Sequence, residues 1–250
     1  MKSESCQSVD STPNHPQTLA MLPSELLTLS TSEPINLQIH RALRQSIVNC
    51  TLLPGASISD KEISELFGVS RQPVRDAFIK LAGAGLIQVL PQRGTFVMKI
   101  SPKRVLNGRF VREAVEVAVV GKAAEQVSEE DLVKLGANIE GQKLAARRKD
   151  TAGFLALDEE FHSGIARSID CIEAWEMIED IKAHMDRVRY LSLDEVTPLK
   201  MLIAQHAAIL AGLRARDPAL AQEAVRSHLR EINLSFGTIR ERNPDWFEAE

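Results

Sequence analysis

With 250 residues, 44% of them hydrophobic and only 4% aromatic, the chain can build two cores and is rich in helix formers, which excludes a sheet-dominated architecture. No apolar run reaches the roughly 18–20 residues of a membrane span, and the N-terminus lacks the layout of a secretory signal, so a cytoplasmic protein without membrane contact is expected. The net charge of −4 conceals a balance of +5 over residues 33–104 and −7 over residues 105–250, so only the front of the chain is suited to phosphate.

Residues 1–32 are rich in Ser, Thr, Pro and Gln without a periodic apolar face and read as a flexible tail. Ile35, Ile39, Leu43 and Ile47 then recur at helical spacing until the Pro-Gly turn at residues 54–55. Ser59 and Glu62 form a capping-box pattern for a short second helix that Gly68 ends, and Ser70 caps a third carrying Val74, Phe78 and Leu81 on one face. "LIQVL" and "TFVMKI" are strand-like runs joined by the turn residues 91–94. Three helices and a hairpin over residues 33–100 predict a winged helix-turn-helix with a small β-hairpin wing.

Ser101-Pro102 opens residues 101–250, an all-α half read as a six-helix antiparallel bundle at about 102–127, 129–149, 151–169, 171–192, 198–216 and 218–242, with Ser128, Asp150, Asp170, Thr197 and Asp217 as caps. The fold class is therefore mainly α. Cys6, Cys50 and Cys171 are dispersed and outside any CxxC pattern, which argues against a disulfide framework.

In a helix-turn-helix the second helix enters the major groove by its N-terminal turn, here "SRQPVR". Arg71 and Arg75 share a face and suit guanine or phosphate, Gln72 suits a base edge, and Ser70 suits a phosphate. Arg44, Lys61 and the wing tip Arg93-Gly94 are expected to complete a basic rim.

A second constellation lies in the helical half. His206 precedes Asp217 by eleven residues and His228 follows it by eleven. If Asp217-Pro218 bends between antiparallel helices, both imidazoles stand about 16 Å from the bend and at one height. Asp158 and His162 are i, i+4 and share a helix face. Three imidazoles and a carboxylate suit a borderline divalent ion: zinc first, nickel or manganese as alternatives.

The segment "SISDKEISELFGVSRQPVRDAFIKLAGAGLIQVLPQRGTFV" closely resembles, without a gap, the DNA-binding domain of the GntR family of bacterial transcriptional regulators. The resemblance places Lys61, Arg71, Gln72, Arg75 and Gly94 at DNA-contacting positions, Lys61 standing where arginine is frequent. The helical half is similar to the FadR-type effector domain, FCD, in which an Asp-x-x-x-His pair and two later histidines bind a metal open to a carboxylate; Asp158, His162, His206 and His228 match. "REAVE" at residues 112–116 resembles the first effector helix, which implies an effector-binding role for Arg112. "PQRG" and "DRVRYLS" are similar to the Rsp-operon type of repressor, which implies a sugar acid or related hydroxy acid as effector.

The resulting expectation is a homodimeric repressor whose hold on double-stranded operator DNA responds to a small carboxylate, with no catalytic residue. Two alternatives remain at this point: a metal-dependent enzyme acting on a small carboxylate, and a regulator whose metal is purely structural.

Overall fold

The computed structural model describes residues 27–179, 181–193 and 196–249, without the side chains of residues 232–234. Residues 1–26 of the expected tail, with Cys6, lie outside the described residues. Leu27 and Leu29, at its far end, pack against the first core.

The spacing of Ile39, Leu43 and Ile47 produces α1 (Ile35–Val48), whose buried face they form. The chain runs on through β1 (Ser57–Ile58), α2 (Asp60–Phe67) and α3 (Arg71–Gly83). Ser59 Oγ accepts from the Lys61 amide at the start of α2. Gly68 ends it at φ 65°, a left-handed conformation costly for side chains with a Cβ. β2 (Ile87–Leu90) and β3 (Gly94–Val97) form the expected hairpin, paired Ile87↔Val97 through Leu90↔Gly94. Strand β1 adds a third antiparallel partner, Ser57↔Phe96, giving the order β1-β3-β2. Two residues are too few to show an alternating pattern, so this strand is invisible in the sequence.

The helical half comprises α4 (Pro102–Gln126), α5 (Glu129–Arg148), α6 (Thr151–Arg167), α7 (Ile172–Glu179), α8 (Ala183–Ser192), α9 (Leu199–Arg214), α10 (Pro218–Arg230) and α11 (Ile232–Arg242). Two of the six expected helices are thus divided. The span 171–192 becomes α7 and α8, and 218–242 becomes α10 and α11; neither break carries the glycine or proline by which sequence marks one. Ser128, Asp150 and Asp217 cap their helices, accepting from the amides of Asp131, Gly153 and Leu220. Asp170 sits at φ 53° before α7, and Pro198 rather than Thr197 occupies the cap of α9.

Helix α10 lies along α4 and α9, while α5 packs on α6 and α9. Val120, Leu135, Phe161, Ile209, Leu213 and Val225 are among the residues of this second core. Gly212 sets the approach of α9 to α10, since a Cβ there would stand 2.7 Å from Ala221 N.

The two halves meet at α8. Ala183 joins the first core. His184 Nδ1 accepts from Ser101 N (3.2 Å), its Nε2 donates to Gly85 O (2.9 Å), and Arg187 donates to Met98 O (2.7 Å). Among the described residues no helix is long and apolar enough to cross a membrane.

Candidate functional site

On the first half, Ser70, Arg71, Gln72 and Arg75 open α3 and are exposed, with Ser70 at the cap but without a side-chain cap hydrogen bond. Arg75 Nε donates to Asp60 Oδ2 (2.7 Å) and Gln72 Nε2 to Asp76 Oδ1 (2.9 Å), contacts that orient both side chains at the protein surface. Lys61 is exposed on α2, with Glu65 Oε1 3.9 Å away. Arg93 and Gly94 are exposed at the wing. Gly94 has φ 105°, where a side chain would strain the turn, and the Arg93 amide donates to Leu90 O (3.1 Å).

Arg44 is not brought to this rim. Helix α1 packs against α8, so the Arg44 guanidinium points across the domain junction and donates to Glu179 O (3.1 Å) and Asp186 Oδ2 (3.2 Å). Amphipathic spacing identified the buried face of α1 but not which neighbour would cover its flank.

In the second half, Asp158 and His162 on α6, His206 on α9 and His228 on α10 converge, all buried, with one potential ligand atom each within 4.8 Å of the others. His162 Nε2 is 3.1 Å, and His206 Nε2 3.3 Å, from His228 Nε2. Asp158 Oδ1 is 3.5 Å from His206 Nε2 and has no hydrogen-bond partner among the described residues. Two of the opposite ring nitrogens are held, His206 Nδ1 by Gln142 Oε1 (2.7 Å) and His228 Nδ1 by Gln205 Oε1 (2.9 Å), while His162 Nδ1 lies 2.7 Å from Glu116 Oε2 without hydrogen-bond geometry.

These contacts decide the chemistry. Burial pushes His206 down to about 3 against the pull of Asp158, and burial with the neighbouring imidazoles holds His228 well below the usual range. A neutral imidazole has one N–H; in His206 and His228 the amide oxygens claim it at Nδ1, so their Nε2 atoms, 3.3 Å apart, face one another as lone pairs. Such close lone pairs repel unless a cation stands between them. Nitrogens bound at 2.0–2.1 Å with angles of 90–110° are about 2.9–3.4 Å apart, and the observed separations match. The residues therefore fit a divalent ion, which Asp158 Oδ1 would join as a fourth donor, with the two glutamines fixing two of the imidazoles and Glu116 beside the third.

Sequence reading missed Glu116, Gln142, Gln205 and Arg189. Glu116 receives the Arg112 Nε hydrogen bond and contacts His162. Burial raises its carboxyl, but Arg112 and His162 outweigh that and hold it at about 2. Glu116 stands four residues after Arg112, a spacing that was the only available signal. Arg189 donates to Asp158 Oδ2. Arg112 is buried, stacks over Trp175 (5.7 Å) and leaves Nη2 without a hydrogen-bond partner among the described residues. With Arg189, Ser192, Thr197 and His228 it lines a cavity of about 30 Å³.

A winged helix-turn-helix joined to a helical domain with a buried His/Asp cluster defines a DNA-binding regulator with a sensing domain. Residues 35–97 match the gntR family of bacterial regulatory proteins, and residues 109–231 match the FCD domain. The chain is 47% identical over 222 residues to the HTH-type transcriptional repressor RspR of Escherichia coli (strain K12), covering 89% of this chain and 97% of that protein. It is 35% identical over 212 residues to an HTH-type transcriptional regulator in an unstable DNA locus of Streptomyces ambofaciens, covering 85% and 89%. E. coli McbR/YncC has the same fold, with a TM-score of 0.74 at 22% identity over 82% of this chain and 99% of that one. The chain belongs to the gntR family of bacterial transcriptional regulators and carries an FCD domain.

Proposed function

We propose that this chain is a homodimeric cytoplasmic repressor, in which residues 33–100 hold operator DNA and residues 101–250 bind a divalent metal and a small carboxylate that weakens that hold. Repression is inferred from likeness to RspR. The observation that carries the metal is the set of facing Nε2 atoms 3.1 and 3.3 Å apart. Asp158, His162, His206 and His228 are its ligands, with zinc favoured by the borderline nitrogen-rich set and nickel or manganese compatible with it. When bound, the ion supplies Lewis acidity toward a carboxylate. Arg112, through an Nη2 unpaired among the described residues, is the side chain to hold that carboxylate's second oxygen.

Operator contact falls to Lys61, Ser70, Arg71, Gln72, Arg75, Arg93 and Gly94, whose exposed polar surface spans helix and wing. Arg44 is left out, being committed to the domain junction. Two such heads are needed because one recognition helix reads too few bases.

The cavity lined by Arg112 and His228 has room for about one water. A sugar acid is larger than this space, so its entry would move the side chains or helices that line it. An enzyme is disfavoured, since the extra buried carboxylates are already engaged, Glu116 by Arg112 and beside His162, and Asp186 by Lys182.

The test is fluorescence anisotropy of metal-loaded protein on DNA upstream of its own gene, against sugar acids and small carboxylates, with and without chelator. The expected result is one acid that lowers DNA affinity and loses its effect on chelation. An unchanged affinity across the panel would return the metal to a structural role, and consumption of an acid would establish an enzyme.

A further inference from the structure

The two carboxylate oxygens of Asp158 face opposite ways: Oδ1 into the histidine cluster and Oδ2 onto Arg189. Arg189 Nη1 lies 3.6 Å from Asp186 Oδ1. Asp186 Oδ2 in turn takes Lys182 Nζ (2.7 Å) and Arg44 Nη2 (3.2 Å), and Arg44 stands on α1 of the DNA-binding half. Asp158 and Lys182 are fully buried, and Arg44, Asp186 and Arg189 have side chains at most 14% exposed. Lys182 also reaches Glu159 Oε1 (2.6 Å). An unbroken run of charges thus joins the candidate metal ligand to the first helix of the DNA-binding half. Burial matters here, because charges removed from water feel one another with little screening.

The network is also incompletely satisfied. Among the described residues Asp186 Oδ1 and Arg44 Nε, both buried, have no hydrogen-bond partner. Arg189 therefore has two places to go, Asp158 or Asp186, and Asp186 has cations competing for it. Above these residues a cleft of about 540 Å³ separates α1 from α6, with Leu37, Arg41 and Arg44 on one wall and Ala152, Leu155 and Glu159 on the other. Helix α1 has space into which it can shift.

We propose that Arg189, Asp186 and Arg44 are coupling residues that carry occupancy of the Asp158 site to α1, and so to the DNA-binding half. The proposal rests on the metal reading above and goes beyond it by naming the route. A cation at Asp158 Oδ1 draws on the same carboxylate that holds Arg189 and repels its guanidinium. Arg189 then turns toward Asp186, and Asp186 relaxes its hold on Arg44. The charge balance is recast at the junction without any direct contact between ion and DNA-binding half, which is the two-arrangement element that coupling requires.

The experiment uses the full chain, stripped of metal and then titrated with zinc chloride, reading bound zinc and amide hydrogen exchange together. In the parent protein zinc slows exchange in α6, α9 and α10, which hold its ligands, and accelerates it in α1. Arg44→Met is expected to bind zinc as the parent does while α1 becomes insensitive to it. Arg189→Lys, which keeps the charge but not the fork that spans two carboxylates, is expected to lose the α1 response when compared with the parent at equal bound zinc, and decides the matter should Arg44→Met fail to fold. Zinc binding with no response in α1 of the parent, or an undiminished response in the folded variants, overturns the coupling route alone. A parent protein that binds no zinc overturns the metal reading, and the route falls with it.

Discussion

Replacing His184 by glutamine isolates a pH dependence that the structure assigns to one ring at the domain junction. The neutral imidazole accepts from the Ser101 amide at Nδ1 and donates to Gly85 O from Nε2, so a second proton has no acceptor and displaces an existing donor. Burial is the largest influence and lowers the ring; Arg187 and Arg104 lower it further, the hydrogen bond to Gly85 and the charge of Glu248 oppose them, and the result is about 4 against the ordinary 6.5. Below pH 6.5 the unfolded chain takes a proton that the folded ring refuses. Stability is therefore complete above that pH and falls by about 1.4 kcal/mol per pH unit until the folded ring titrates as well. Between about pH 7.5 and pH 5 this amounts to roughly 2 kcal/mol from His184. The assay is urea unfolding across that range with chelator present, so that metal linkage does not contribute. Parent protein is expected to lose about 2 kcal/mol more than His184→Gln on acidification. Equal losses in the two proteins would refute the assignment.

Arg71→Ala should cost operator binding about 1–3 kcal/mol and relax base preference at one position, measured by anisotropy against operator variants; unchanged affinity and preference would remove Arg71 from readout. His206→Ala should lower zinc content and abolish the carboxylate response while operator binding persists, which metal analysis and anisotropy on the same sample report. Normal zinc stoichiometry in that variant would contradict the ligand set. Gly212→Ala forces a Cβ to within 2.7 Å of Ala221 N and Cα, so α9 and α10 must separate. A loss of about 1–3 kcal/mol in thermal or urea unfolding is expected, with weaker zinc binding as His206 and His228 move apart; an unaltered midpoint would show that the pair can slide freely.

Local chemistry made much of this protein legible from its sequence. Helical periodicity in α1, the cap at Ser59, the glycine stop at Gly68 and the turn residues before Gly94 each act within a few residues, so the order helix, helix, helix, hairpin could be read directly. The histidine cluster was readable for a related reason. An i, i+4 pair on one helix and two histidines equidistant from the Asp217 bend are regular helix geometry, and the structure brings those four side chains together.

What the chain could not announce is whatever depends on which surface meets which. Strand β1 exists because β3 offers it an edge, and the division between α7 and α8 follows no local breaker. Arg44 looked like a basic residue on an exposed rim, and packing of α1 on α8 turned it into a junction contact. Gln142 and Gln205 lie 64 and 23 residues from the imidazoles they hold, Glu116 is far along the chain from His162, and Arg189 lies 31 residues from Asp158. Sequence determines the donors and the helices that carry them, because those rules are short-ranged. Tertiary packing alone decides which buried charge finds which partner, because removal from water makes distant residues compete for the same few counter-charges.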